Sequence, residues 1–237
     1  MTGERCVVAY GGQEIVFSLR HADRSTLEIA VDPDGSVHVV APLGVVRDDV
    51  CARVARRARW VLAQQAYFAQ FDPRTPARRF VSGETHLYLG RQYRLKVVAG
   101  DGGSVRLTGG RFLVVTRSPS DPEQVQELLQ GWYRQKAAER LTERLHACWE
   151  RFGRDDLEMP QMRIRTMRTR WGSMSPTGVL SLNVDLVRAP RDCIDYVILH
   201  ELCHLEHSDH GSGFRARLDQ VMPDWEKRKH RLELALA

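Results

Sequence analysis

The chain has 237 residues, of which 43% are hydrophobic and 27% are charged, and its formal net charge is +5. This length and composition are typical of a globular protein with one large domain or two small ones. No apolar run approaches the ~18–20 residues that a membrane span needs, so no membrane partner is expected, and the mild positive charge permits a nucleic acid or nucleotide partner without demanding one.

The cysteine pattern and the opening residues both predict the cellular compartment of the protein. The five cysteines are widely separated and form no CxxC pair, which is typical of reduced thiols rather than of a disulfide framework. The opening stretch MTGERCVVAYGGQEIVF has no basic segment followed by an apolar run, so no signal peptide is predicted. We therefore expect a cytoplasmic protein, and the sequence leaves its oligomeric state open.

The first half of the chain is predicted to be mostly β-strand. Residues 6–18 and 26–42 have the composition of strands, and the second range contains a turn signal, DPDG at 32–35, which predicts a hairpin. Apolar residues at steps of three or four predict a helix over residues 45–70. Four short predicted strands follow: HLYLG, QYRLKVV, SVRLTG and RFLVVT. We find no internal repeat.

The pattern changes near residue 119. The stretch SDPE at 120–123 is a helix-start signal, because a polar cap precedes Pro and Glu, and the apolar spacing continues to about Phe152. We place the main domain boundary here. Residues 1–119 are predicted to form a small twisted antiparallel β-sheet with one long helix, and residues 120–237 a second domain.

A hairpin and a second helix are predicted in the C-terminal domain. QMRIRTMRTR (161–170) is a predicted strand, SPTG (175–178) a turn, and VLSLNVDLV (179–187) a second strand with alternating apolar residues. After Pro190 a helix is predicted, with Asp192 as its N-cap. This helix is apolar on most sides, so we expect it to be deeply buried. The fold class is therefore α+β.

The segment HELCHLEHSDH (200–210) lies inside this buried helix and after it. His200 and His204 are four residues apart, so both imidazoles project from one helix face, a spacing that suits two nitrogen ligands to Zn²⁺. Glu201 is close enough to take a proton from water that the metal activates. Burying these groups without partners would be costly, which favours a catalytic metal centre over a hydrogen-bonded polar cluster without metal.

A third protein ligand is needed to complete a catalytic zinc site, which usually has three. His210 reaches the metal if the helix ends near His207 and the chain turns back, and Ser208, Asp209 and Gly211 supply the turn residues. His207 is the alternative, but a third ligand on the same helix would give poor tetrahedral geometry. We therefore favour His210.

The stretch RTRWGSMSPTGVLSLNVDLVRAPRDCIDYVILHELCHLEHSDHGSGF resembles the core of the YgjP-like metal-dependent hydrolases, a bacterial zincin group related to the SprT-like proteases. The resemblance is specific from about residue 165 to 225. The shared motifs are WGS at 171–173, LN at 182–183, the YVILHELCHL helix at 196–205, and His210. Met174 stands where the family commonly has a cysteine, so no thiolate role is available at this position.

This resemblance implies a zincin-like catalytic domain built around an active-site HExxH helix, and a zinc-dependent metallopeptidase that acts on polypeptides. His200, His204 and His210 would be the zinc ligands. Glu201 would be the general base, taking a proton from the attacking water and returning it to the leaving amine.

Two pairs of residues are candidates for substrate binding. Ser181 and Asn183 lie on the strand before the site helix, and in zincins such a strand often borders the cleft and pairs with an extended peptide. A solvent-facing strand residue explains Asn183 equally well. Arg168 and Arg170 could hold phosphates near a metal, or they could belong to a charged edge strand that resists aggregation.

Two other functions stay open from the sequence. Relatives in the family have been assigned a nucleoside triphosphate pyrophosphatase activity, which the nearby arginines would suit, although triphosphates usually come with Mg²⁺ held by carboxylates. By analogy with SprT-like proteins, the chain could instead be a protease that acts on DNA-associated proteins. Such a protein would bind DNA with a steep salt dependence.

Overall fold

The computed structural model describes residues 3–32, 34–69, 78–154, 156–167 and 170–236. The chain divides into two compact units, one over Met1–Thr75 and one over Pro76–Leu236. Both units combine helices with small sheets, so the α+β class predicted from the sequence describes the architecture.

The first unit contains a four-stranded sheet in the order β1-β2-β4-β3. The strands are β1 (Glu4–Tyr10), β2 (Gln13–Ala22), β3 (Glu28–Val31) and β4 (Val37–Pro42). The predicted 26–42 hairpin is the antiparallel pair β3–β4. The range 6–18 is also a hairpin, because Gly11 and Gly12 adopt positive φ angles between β1 and β2. The central pair β2–β4 is parallel, so the sheet is mixed rather than antiparallel.

Two helices follow this sheet where one was predicted over 45–70. They are α1 (Arg47–Arg56) and α2 (Ala58–Ala69), and Arg57 interrupts the helix with φ −101° and ψ 4°. The apolar face continues across the break, since Val50, Val54 and Val61 are all fully buried. A separate core therefore forms between the helices and the alternating inward residues of β1, β2 and β4.

The second unit begins with another four-stranded sheet, in the order β5-β6-β8-β7. Its strands are β5 (Thr85–Tyr88), β6 (Arg91–Ala99), β7 (Ser104–Thr108) and β8 (Arg111–Thr116), which match the four predicted strands. Two antiparallel hairpins meet at a parallel central pair, β6–β8. The second sheet therefore has the same topology as the first. The sequence shows no internal repeat that would have predicted this.

A long helix, α3 (Pro122–Phe152), follows the second sheet. Asp121 caps its first turn by accepting hydrogen bonds from the backbone N–H groups of Glu123 and Gln124, and Gly153 ends it with φ 63°. Phe112 of β8 shares one core with the buried face of α3. The boundary predicted near residue 119 therefore lies inside the second unit, because β5–β8 pack on α3 rather than forming a domain with β1–β4.

A three-stranded sheet and three helices complete this unit. The strands are β9 (Gln161–Arg165), β10 (Gly172–Met174) and β11 (Val179–Asn183), and the helices are α4 (Arg191–Cys203), α5 (Ser212–Val221) and α6 (Trp225–Leu236). The sheet order is β10-β11-β9. The expected hairpin forms between β10 and β11, and β9 pairs in parallel with β11. The second predicted strand is shorter than expected, since residues 184–188 form a 3₁₀ helix.

Helix α4 is buried on most sides, as its sequence predicted. Pro190, rather than Asp192, occupies the N-cap position. Asp195 accepts two hydrogen bonds from Arg144 of α3, at 2.7 and 2.8 Å, and this bidentate pair fixes α4 against α3. No helix in the described part of the chain is long and apolar enough to cross a membrane.

His86 is a buried histidine in the core of the second unit. Its ring packs against Phe80 and Phe112, and its Nε2 lies 3.2 Å from a carboxylate oxygen of Glu84. Burial lowers the pKa of His86 to about 4, although the Glu84 carboxylate opposes this shift. The ring is therefore neutral in the folded chain at neutral pH.

This lowered pKa predicts a loss of stability in acid. The unfolded chain binds the proton more readily, since the ordinary pKa is 6.5, so the stabilisation is complete above about pH 6.5 and is lost as the pH falls toward about 4. We expect the free energy of unfolding to decrease by roughly 2–3 kcal/mol over that range and to decrease less in His86→Gln. Denaturant titrations of both proteins at several pH values measure this, and equal slopes would contradict it.

Candidate metal centre

Three histidine side chains converge at the C-terminal end of α4. One ligand nitrogen each from His200, His204 and His210 lies within 4.8 Å of the others. The Nε2 atoms of His200 and His210 are 3.1 Å apart. The structure therefore brings together the three histidines that the sequence predicted as a ligand set.

The chain turns back after α4 and so returns His210 to the helix. The helix ends at Cys203, four residues earlier than the expected end near His207, and His204 is its C-cap. Asp209 accepts a hydrogen bond from the backbone N–H of Gly211 at 3.0 Å, and α5 then begins at Ser212. His210 therefore lies on a short turn that faces the end of α4.

Phe214 of α5 forms an apolar wall against all three imidazoles. Its ring centroid lies 4.9 Å from that of His200 and 4.7 Å from those of His204 and His210. Phe214 is buried, so the histidine rings are held on this side by packing. The sequence analysis did not identify this residue, although it belongs to the HGSGF stretch at the end of the family-like segment.

The donor set fits a tetrahedral divalent metal. Two nitrogens bound to zinc at ~2.0–2.1 Å and a tetrahedral angle are separated by ~3.3 Å, close to the 3.1 Å between His200 and His210. Burial and the neighbouring His210 and His204 lower the pKa of His200 to about 3, so this ring is neutral, as a metal ligand must be. His204 Nδ1 donates to the backbone carbonyl of His207 at 2.9 Å, which leaves Nε2 for a metal.

His207, the alternative third ligand, contributes its backbone rather than its ring to the centre. Its carbonyl orients His204, and its imidazole is not among the three that converge. A Cβ added at Gly213 would lie 2.9 Å from the His207 ring, so that ring packs against the start of α5. The geometry thus agrees with the preference for His210.

Glu201 lies beside the histidines with its carboxylate buried. Burial raises the pKa of Glu201 to about 7, while a hydrogen bond from the backbone N–H of Met174 and the charge of Arg170 oppose the shift. A carboxylate with a pKa near neutrality can exchange a proton under working conditions, which is what a general base requires.

The close approach of β10 to α4 positions Glu201. A Cβ added at Gly172 would lie 2.8 Å from Cγ of Glu201 and 3.1 Å from Cγ1 of Val197, so a larger residue would displace the glutamate. Gly172 is the glycine of the WGS motif, and this contact explains why the motif needs it. Met174 contributes through its backbone N–H rather than its side chain.

A cleft of about 770 Å³ surrounds the centre. The edge strand β10, the helix α4 and the two last helices all contribute to its lining. Arg170, Trp171, Arg215, Trp225 and Lys229 are among the lining residues. Apart from Arg170 and Trp171, the sequence analysis did not single these out, because they come from segments that are distant along the chain.

The predicted substrate-binding strand does not border the cleft. Ser181 and Asn183 lie on β11, which is the middle strand of its sheet and is paired on both sides. Asn183 is 3% exposed, and its side-chain amide donates to the backbone carbonyls of Met167 and Arg170. The side chain therefore holds the backbone before β10, and neither alternative proposed for Asn183, a cleft residue or a solvent-facing one, describes it.

Of the two arginines predicted to bind substrate, the structure describes only Arg170. Arg170 is exposed and lines the cleft, and its role in substrate binding stays a prediction. Arg168 lies outside the described residues. Glu206, on the turn after α4, is an ion-pair partner of Arg154 and Arg217, at 2.7 and 3.2 Å.

Comparison with protein families identifies the class of this protein. A family model described as "YgjP-like, metallopeptidase domain" matches residues 25–235. No curated protein matches the chain. The crystal structure of the metallopeptidase zymogen of Pyrococcus abyssi abylysin is 23% identical, with a TM-score of 0.35, over 38% of this chain and 90% of that chain. The corresponding zymogen, Methanocaldococcus jannaschii jannalysin, is 21% identical, with a TM-score of 0.34, over 38% and 83%.

Replacement of single histidines tests the ligand set. We expect His210→Ala to lower zinc affinity at least ~100-fold, because one of three donors is removed. His207→Ala is the matched control: it keeps the backbone carbonyl that orients His204 and should bind zinc like the parent. Competition with a chromogenic chelator measures both affinities. Loss of zinc from the His207 variant alone would reverse the assignment.

Proposed function

This chain belongs to the YgjP-like metallopeptidase family, and from that membership we propose that it hydrolyses peptide bonds with a zinc ion held by His200, His204 and His210. Glu201 is the general base in this proposal. The observation that carries it is the convergence of three imidazole nitrogens within 4.8 Å at the end of the helix that also bears Glu201.

Zinc is the metal that this donor set suits best. Three imidazoles provide borderline nitrogen ligands and leave one tetrahedral position open, as in catalytic zinc sites. When bound, zinc supplies a Lewis acid that lowers the pKa of water and polarises the substrate carbonyl. The residues of the chain then have to bind the peptide, orient it and move protons.

Glu201 performs the proton transfers. Its carboxylate adjoins the cleft beside the three histidines, where it can take a proton from the attacking water. The same group, once protonated, donates to the nitrogen of the leaving amine. The close approach of Gly172 to Cγ of Glu201 limits the movement of this side chain.

The edge strand β10 is the proposed docking strand for the peptide. Residues 172–174 pair on one side with β11 and line the cleft. An extended polypeptide can add to such an edge through main-chain hydrogen bonds, and its side chains then alternate between cleft and solvent. The sequence predicted this role for β11, whereas we propose it for the neighbouring strand, β10.

Glu201→Gln separates metal binding from catalysis. The amide has nearly the same shape but cannot accept a proton, so we expect zinc content to stay at the parent level and kcat to fall by at least ~10²–10⁴-fold. Metal analysis and hydrolysis of a denatured protein substrate by the zinc-loaded variant measure the two quantities. Turnover at the parent rate would show that another group is the base.

Gly172→Ala tests whether β10 positions the glutamate. The new Cβ would meet Glu201 at 2.8 Å, and a displacement of about 1 Å can cost ~10²-fold in rate. We therefore expect kcat to fall by about that factor while zinc affinity is retained. Gly131→Ala is the control, because its Cβ would meet only the Arg134 side chain at 3.9 Å. Equal activity of the two variants would contradict the positioning role.

A further inference from the structure

The cleft around the metal centre is lined by positive charge from three separate segments. Arg170 lies before β10, Arg215 on α5 and Lys229 on α6, and all three are exposed. Glu201 is the one carboxylate among the described residues that line the cleft. The proposed metal would add two further positive charges at the centre.

Among the described residues, these three cations differ from the arginines next to Arg215 and Lys229, because those arginines form ion pairs. Arg217, two residues after Arg215, lies 3.2 Å from Glu206, and Arg228, next to Lys229, lies 2.9 Å from Asp224. Within the described ranges, no ion pair involves Arg170, Arg215 or Lys229. Arg217 and Arg228 are therefore neutralised by carboxylates, whereas the described residues supply no carboxylate partner for the three cations of the cleft.

The cations come from different sides of the cleft lining. Arg170 precedes Gly172, which contacts Glu201, whereas Arg215 follows Phe214, whose ring packs on His210. Lys229 lies on α6, one helical turn after Trp225, which also lines the cleft. Arg170 therefore lies on the β10 side of the cleft, and Arg215 and Lys229 lie on the side of the two last helices.

Positive side chains that line a cleft repel cationic ligands and attract anionic ones. Because Arg170, Arg215 and Lys229 have no carboxylate partner among the described residues, the cleft favours an anionic ligand. We propose that the cleft selects polypeptide segments that carry Asp or Glu on both sides of the bond to be cleaved. This inference rests on the proposed peptidase function and names its substrate class. The carboxylates pair with Arg170 on one side and with Arg215 and Lys229 on the other.

Matched fluorogenic peptides test the preference. All the peptides share the same central bond. In one set the residue before this bond is Glu, Gln or Lys, and in the other set the residue after it is Glu, Gln or Lys. With zinc-loaded full-length protein, we expect kcat/KM for Glu to exceed that for Lys by about tenfold or more and to exceed that for Gln by a smaller factor. The preference should shrink as salt is raised from about 50 to 500 mM, because these cations are exposed to solvent.

Charge-reversal variants assign the preference to residues. Arg170→Glu should reduce the Glu-to-Gln ratio about three- to tenfold on one side of the bond, and Arg215→Glu with Lys229→Glu should reduce it on the other. Lys227→Glu is the matched control for Arg170→Glu: it makes the same change in net charge, lies on α6 outside the cleft lining, and should leave both ratios unchanged. If all the variants had equal effects, net charge alone would explain the preference, and its assignment to Arg170, Arg215 and Lys229 would be wrong.

A binding measurement separates failure of this inference from failure of the proposed function. Zinc-loaded Glu201→Gln protein is titrated with the same peptides, labelled for fluorescence anisotropy. If no peptide is cleaved by the parent but the Glu peptides bind tightest, the peptidase proposal fails and the acidic-ligand inference stands. If peptides are cleaved without charge preference, the inference fails alone. Binding of a nucleoside triphosphate without binding of acidic peptides would show a different anionic ligand and overturn the inference.

Discussion

The site depends on one polar face of a helix that is otherwise buried in the core. Ile198, Leu199 and Leu202 of α4 are fully buried, and the same helix carries His200 and Glu201. Packing on α3 and α6 fixes this helix, so its polar groups have little freedom to move. Desolvated polar groups cost free energy unless they find partners, and a metal ion held by the three imidazoles would satisfy them at once. Binding of such a metal would therefore stabilise the folded chain.

The turn after α4 is held by ion pairs rather than by regular secondary structure. Glu206 accepts a hydrogen bond from Arg154, just beyond the end of α3, and lies 3.2 Å from Arg217 of α5. Arg217 also donates to the backbone carbonyl of Phe152 at 2.6 Å. These contacts join the turn to the elements before and after it, and the turn delivers His210 to the centre. Because Glu206 and Arg217 are mostly buried, removal of either side chain would leave the other charge desolvated and without this partner.

Local sequence signals predicted the elements better than their connections. The helix α3 and the four strands β5–β8 follow from capping residues, turn glycines and apolar periodicity, which act within a few residues. The parallel pairs β2–β4 and β6–β8 were not predicted, because alternation shows which face of a strand is buried but not which strand lies beside it. The same limit applies to the boundary predicted near 119: a core shared between β8 and α3 leaves no local composition signal.

For the site, the sequence by itself determined the spacing of His200, Glu201 and His204, since helical geometry sets which side chains share a face. Tertiary structure alone decided that Asn183 is buried, that Gly172 touches Glu201, and that cations from three segments line one cleft. These contacts join residues separated by tens of positions along the chain. Packing of the whole unit, and not any local preference of the backbone, sets the distances between such residues.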